Sequence, residues 1–168
     1  GITVDTDATT LGLTVNAING AVDLDDGTAT ITTLNLAGTG AKTTTALTAI
    51  AVTDLNVSGD QAISLTADLS ALETVVVTGT AGLTLASASS NLVTSVNTEG
   101  TTGAVTTSLD AGVGTYAGGA GVDTVTTVTT TTPTKAISLG AGDDSLTLAT
   151  GTSVSTSILD GGDGTDTL

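Results

Sequence analysis

Three short stretches near the C-terminus hold the residues best placed for chemistry. They are Gly118-Gly119-Ala120-Gly121-Val122-Asp123-Thr124-Val125, Leu139-Gly140-Ala141-Gly142-Asp143-Asp144-Ser145-Leu146 and Gly161-Gly162-Asp163-Gly164-Thr165-Asp166-Thr167-Leu168. All fit Gly-Gly-x-Gly-x-Asp-x-apolar, except that Leu139 stands at the first glycine position. Asp123, Asp144 and Asp166 follow one another at steps of 21 and 22 residues. A carboxylate beside a glycine run suits a hard cation. Ca²⁺ takes about six to eight oxygens at about 2.3–2.6 Å, and glycine lets a tight turn aim successive carbonyls inward. One turn supplies too few oxygens, whereas two stacked turns supply enough. Three stacked turns therefore predict two sites, between the turns of Asp123 and Asp144 and between those of Asp144 and Asp166. Without cations, acids along one edge repel at close range.

Stacking requires a repeat, and the chain has one. Thr32–Gly38, Thr53–Gly59, Glu73–Gly79 and Thr94–Gly100 end on glycines 38, 59, 79 and 100, and the series continues at 121, 142 and 164. Backwards, Leu13 and Val15 fall one period of 21 before Leu34 and Leu36. Within each period lie short alternations such as Leu34/Leu36, Leu55/Val57 and Val75/Val77 before the glycine, and Ile63/Leu65, Leu83/Leu85 and Leu146/Leu148 after it. A period of two puts those side chains on one face of a strand. Each unit reads as strand, glycine turn, second strand and variable loop. Neither strand buries its face alone, but stacked copies do. The predicted fold is all-β, a parallel β-solenoid with coils of about 21 residues. Eight coils at strand spacing make a rod roughly 40 Å long. A leucine-rich horseshoe is the rival, suggested by Leu69-Ser-Ala-Leu72 before Val75-Val77, but the units lack a helical stretch and Thr runs such as 129–132 disfavour helix.

Composition narrows the chemistry further. About a quarter of the residues are Thr, there is no Cys, Met, Trp, Phe, His or Arg, and Tyr116 is the only aromatic. Small and β-branched residues must fill the core, which favours strand. Seventeen acids against Lys42 and Lys135 give a net charge of −15. Such a surface repels nucleic acid and anionic lipid. Positive mean hydropathy and the periodicity argue against disorder. Without His, Cys or Arg, acid–base, nucleophilic and phosphate chemistry lack their usual groups, so the chain is not expected to be an enzyme. No signal peptide or transmembrane run is visible. The chain opens at Gly1 and stops inside the third motif, which reads as a segment of a longer protein.

Other polar features read as structural. Asp143, Asp160 and the Asp163 side chain are expected to be solvated turn residues. Leu109–Tyr116 resembles the last motif with Tyr116 at the aspartate position, and reads as a turn without a full site. Asp23-Leu-Asp-Asp-Gly27 has acids but lacks the later Glu and flanking helices of an EF-hand, and reads as a turn. Asn35, Asn56 and Asn97 recur at matching positions of the repeat and fit a hydrogen-bonded ladder. The Thr excess shows only scattered runs rather than the even ranks of an ice-binding face. Pro133 falls in a loop, where its missing N–H costs little.

The three turns closely resemble the RTX calcium-binding repeat. With the Thr/Ala/Gly coils before them, the chain is similar to RTX-type surface-layer (S-layer) proteins of Gram-negative bacteria. The motif likeness covers residues 118–168; over 1–117 the coils are Thr/Ala-rich, mostly without metal motifs, and the likeness is one of composition. The resemblance implies a right-handed β-helix or β-roll with Ca²⁺ held between turns. It also implies type I secretion and a calcium-dependent lattice at the cell surface. By the family pattern the ligands are carbonyls of motif positions one to four and the sixth-position aspartate. Here these are Gly118, Gly119, Ala120 and Gly121 with Asp123; Leu139, Gly140, Ala141 and Gly142 with Asp144; and Gly161, Gly162, Asp163 and Gly164 with Asp166. The motifs occupy one edge, where the simplest β-roll alternates two, so the ion count is small, about two.

The expected function is a structural, calcium-binding solenoid segment of a secreted S-layer protein. Low cytosolic calcium leaves the coils loose for export. Extracellular calcium fills sites of about 10⁻⁴–10⁻³ M affinity and stabilises the stack by roughly 1.5 kcal/mol per site at tenfold Kd. The expected partners are further copies of the chain in a lattice, and cell-surface polysaccharide through another domain. The alternative is a folding and export module of a type I-secreted adhesin or hydrolase. A calcium-independent stalk keeps the solenoid and drops the metal.

Overall fold

The computed structural model describes residues 7–24, 30–85, 92–128, 132–149 and 159–168. These form fifteen β-strands and, among the described residues, no helix. Strands alternate between two sheets, one strand of each sheet per coil. The first sheet holds β1 (Thr10–Val15), β3 (Thr33–Gly38), β5 (Asp54–Gly59), β7 (Thr74–Gly79), β9 (Ser95–Thr101), β11 (Thr115–Ala117), β13 (Ile137–Ser138) and β15 (Leu159–Asp160). The second holds β2 (Asn19–Asp23), β4 (Thr43–Thr48), β6 (Ile63–Asp68), β8 (Leu83–Leu85), β10 (Val105–Leu109), β12 (Thr124–Thr127) and β14 (Ser145–Thr147). Each strand pairs in parallel with its counterpart one coil away, in chain order. The architecture is a parallel β-solenoid with coils of about 21 residues.

Alternation decides what is buried. In β3 and β5 the apolar residues Leu34, Leu36, Leu55 and Val57 face inward, while Asn35 and Asn56 face outward. One inward column of the first sheet runs Leu11, Leu34, Leu55, Val75, Val96, Tyr116, Ile137 and Leu159. Inward residues of both sheets form one hydrophobic cluster. Apart from Thr43, aliphatics fill its N-terminal coils, whereas Thr98, Thr101, Thr107, Thr127, Asp123 and Asp144 are buried in the C-terminal ones. Outside, Asn56 Nδ2 donates to Asn35 Oδ1 at 2.8 Å, but Val76 sits between Asn56 and Asn97 and breaks that ladder. Leu69 and Leu72 close a corner: Leu72 N–H donates to Leu69 O at 3.0 Å and both side chains are fully buried. The residues that suggested a horseshoe thus form a tight turn, not a helix.

Two details of the repeat differ from simple counting. Leu13 pairs with Leu36 and Leu11 with Leu34, so the step across the first coil is 23 rather than 21. A slip of two leaves every side chain on its original face, so hydrophobic pattern cannot detect it. The single glycine series is in fact two columns. A bulge between β7 and β9 moves Gly100 opposite Thr78 and Thr101 opposite Gly79. Gly121 therefore stacks on Gly103, followed by Gly142 and Gly164, while Gly119 lies against the carbonyl of Thr101.

Candidate metal centre

The register of the second sheet places Thr43, Ile63, Leu83, Val105, Asp123, Asp144 and Asp166 in one column at the entry to its strands. The first six are buried, at no more than 2 % exposure. Counting motifs put the aspartates on one edge of the stack without saying which way they face. The fold sets Asp123 and Asp144 in the positions filled by Ile63, Leu83 and Val105 upstream. The cause is parity: Asp123 and Val125 are two residues apart, as are Asp144 and Leu146, so each pair shares the inward face.

Burying a carboxylate there changes the hydrogen bonding of the ladder. In upstream coils the column N–H groups of Ile63 and Leu83 donate to the carbonyls of Gly82 and Ala104 on the next coil. In the last three coils side chains replace those carbonyls. Val105 N–H donates to Asp123 Oδ1 at 3.1 Å, Asp123 N–H to Asp144 Oδ1 at 2.7 Å, and Asp144 N–H to Asp166 Oδ1 at 3.1 Å. Each aspartate thus ties its coil to the preceding one by a charge-assisted bond.

The second carboxylate oxygens differ. Asp123 Oδ2 accepts the Tyr116 hydroxyl at 2.8 Å, with Thr98 Oγ1 at 3.5 Å. Asp144 Oδ2 is buried and has no partner. Asp166, at the last coil, is exposed. Burial pushes the Asp144 carboxyl above its ordinary 3.8; the Asp123 N–H opposes this, and the charges of Asp166 and Asp143 reinforce it. Burial also raises Asp123, partly offset by its bonds from Tyr116 and Val105. The Tyr116 hydroxyl is raised well above 10.0 by burial and then by the Asp123 charge.

The glycine turns also differ. Gly140 and Gly142 have φ of 98° and 144°, and Gly162 and Gly164 have 88° and 139°. Turns 139–144 and 161–166 are therefore conformational twins, held in a region that favours glycine. Gly118, Gly119 and Gly121 have no such φ. A Cβ on Gly162 would collide with the carbonyl of Gly140, and one on Gly164 with that of Gly142. The twin turns are joined by Asp163 N–H to Gly140 O at 2.9 Å and Gly142 N–H to Asp163 O at 2.8 Å. Turns 118–121 and 139–142 meet through Ala141 N–H to Gly119 O at 2.8 Å, and Gly118 N–H bonds Ser138 O. Leu139 sends its side chain into the core, at 2 % exposure, without adopting positive φ.

Asp143, Asp160 and Asp163 stay at the surface, and Asp110 is half-buried. Asp143 accepts the Thr165 N–H at 2.9 Å, Asp160 accepts that of Gly162 at 3.1 Å, and the Asp163 carboxylate is exposed. Asp110 accepts the Gly112 N–H at 2.8 Å. Asp25, Asp26 and Gly27 lie outside the described residues. No three His, Cys, Asp or Glu side chains converge among the described residues. A cation here would be held chiefly by main-chain carbonyls, with Asp144 Oδ2 as the buried anionic ligand. That donor set fits an oxygen-seeking ion such as Ca²⁺ and no thiophilic metal.

Sequence reading missed Tyr116 and Thr98. It placed Tyr116 in a turn at an aspartate position, whereas Tyr116 lies in β11 and fills the aliphatic column. Its rarity in an otherwise aromatic-free chain was the available signal; the approach of Thr98 to Asp123 left none. Comparison of the chain with protein-family models, curated proteins and solved structures finds no match.

Proposed function

We infer that this chain is a calcium-binding structural solenoid segment of a secreted bacterial S-layer protein, folding and assembling in extracellular calcium. The observation that carries the calcium reading is Asp144 Oδ2, buried without a partner in a chain of net charge −15. An uncompensated buried charge costs several kcal/mol. The Asp144 carboxylate reaches the preceding coil through the Asp123 N–H, where turns 118–121 and 139–142 stack. Asp144 would supply the carboxylate, and the carbonyls of turns 118–121 and 139–142 the other oxygens. Bound Ca²⁺ supplies the positive charge that this carboxylate lacks. The chain's own contribution is to hold the turns in register through the Ala141 N–H to Gly119 O bond and the Asp123–Asp144 bond.

The surface-layer part rests on the likeness of the coils and motifs to RTX-type S-layer proteins and on the lack of catalytic residue types. Copies of the chain would be its partners in a lattice, with anchoring to surface polysaccharide through another domain. Circular dichroism and sedimentation velocity in EGTA, then in millimolar calcium, test both parts. The expected result is a gain of β-structure followed by assembly. Folding without assembly would favour an export module of an adhesin or hydrolase. No change in either would remove the calcium mechanism.

A further inference from the structure

We propose that calcium governs the folding of the last two coils only, and that the first glycine–aspartate turn belongs to a stem that folds without it. This rests on the calcium reading above and places the boundary of its effect. Motif spacing puts that boundary at Gly118, because three like turns imply three calcium-dependent coils. The hydrogen bonds and the strand lengths move it between β12 and β13.

Each aspartate carboxylate bonds the coil before it, so its needs are met, or left unmet, there. Asp123 Oδ1 accepts the Val105 N–H at 3.1 Å, and Oδ2 accepts the Tyr116 hydroxyl at 2.8 Å. The Gly119 main chain bonds the same carboxylate. The turn itself is tied to the preceding coil by Ala120 N–H to Thr101 O at 3.1 Å. All these partners precede β13, so the buried Asp123 is satisfied without an ion and without the last two coils. A buried polar network with every member bonded is rigid, whereas a partly bonded one is costly. Asp144 is the partly bonded case. Its Oδ1 accepts the Asp123 N–H at 2.7 Å, but its buried Oδ2 has no partner. Strand length changes in the same direction. Strands β3 to β7 have six residues each, whereas β13 and β15 have two and β14 has three. The end therefore has fewer ladder bonds, and Leu139, Leu146, Leu159 and Leu168 line a hollow where the core stops. Few ladder bonds and an open core mark a unit of low local stability. The stem thus carries turn 118–121 as a standing half of the ion site, and the coil of Asp144 closes on it when calcium binds.

Hydrogen–deuterium exchange of the whole chain, read by mass spectrometry in EGTA and then in calcium, tests this. In EGTA the amides of β3 to β12, turn 118–121 included, should be protected. Those of β13 to β15 and of turns 139–142 and 161–164 should exchange at least about tenfold faster. Calcium at about 10–100 times Kd should slow this second group by about 10–100-fold, the mass-action factor. Asp144→Asn should remove that slowing and leave β3 to β12 protected in EGTA. Turn 118–121 and β12 exchanging with the fast group in EGTA would overturn the proposal, because the first motif would then need the ion. So would a stem that is unprotected in EGTA, or last coils as protected there as the stem. If the two groups differ in EGTA as expected but calcium slows neither, the calcium reading fails and the proposal with it, a result distinct from the other three.

Discussion

Asp144→Asn should stabilise the calcium-free protein and abolish its response to calcium. The amide keeps an Oδ1 for the Asp123 N–H, now 2.7 Å from the carboxylate, so the inter-coil bond survives. What changes is the second position, where an unpartnered anionic oxygen becomes an unpartnered NH₂. A buried unpaired charge costs several kcal/mol, while an unsatisfied neutral group costs about 1–3 kcal/mol. In EGTA at neutral pH the variant should therefore gain about 1–2 kcal/mol. With a Kd of about 10⁻⁴–10⁻³ M, ten millimolar calcium is about 10–100 times Kd and adds about 1.4–2.7 kcal/mol to wild type by mass action. The variant should show no such increment. Urea unfolding followed by circular dichroism reads both effects, as midpoint shifts of about 0.5–1 M for the substitution and about 0.7–1.4 M for calcium at a slope of about 2 kcal/mol/M. The pH dependence has a defined sign. Burial raises the folded-state carboxyl above 3.8, so the folded state holds the proton more tightly than the unfolded state. The resulting stability is fully present below 3.8 and is lost as pH rises through the raised value. Wild type without calcium should thus weaken over that rise more than Asp144→Asn does. A variant that is destabilised in EGTA, or that keeps the wild-type calcium increment, would refute the reasoning.

Gly142→Ala puts a Cβ at φ 144°, 2.7 Å from Gly121 O and 3.0 Å from Asp144 Oδ1, whereas a Cβ on Gly12 meets nothing within 4 Å; thermal unfolding in EGTA should show a loss of about 1–3 kcal/mol for the first and no loss for the second. Leu55→Ala removes a fully buried side chain stacked between Leu34 and Val75, and should cost about 2–5 kcal/mol in urea unfolding. The Asp54 carboxyl lies below 3.8 because Thr74 and then Thr53 donate to it. Its contribution is present above 3.8 and lost as pH falls through the lowered value. Acid titration of stability should accordingly show a shallower loss below 3.8 in Thr74→Val than in wild type.

The sequence by itself determined the fold class, because the coil repeat, the period-two alternations and the β-branched composition all demand stacked strands. It also picked out the three glycine–aspartate turns, since their spacing equals one coil. It could not fix the first-coil register, because Leu11 and Leu13 are equivalent under a slip of two. It could not separate the glycine columns either, because one bulge before Gly100 restores nearly the same count. The inward burial of Asp123 and Asp144 was legible in part, through their shared parity with Val125 and Leu146. Only the tertiary structure made the aspartates unequal. Tyr116 arrives from the opposite sheet, and which oxygen it reaches depends on how the two sheets face each other across the core, a relation that no spacing along the chain encodes.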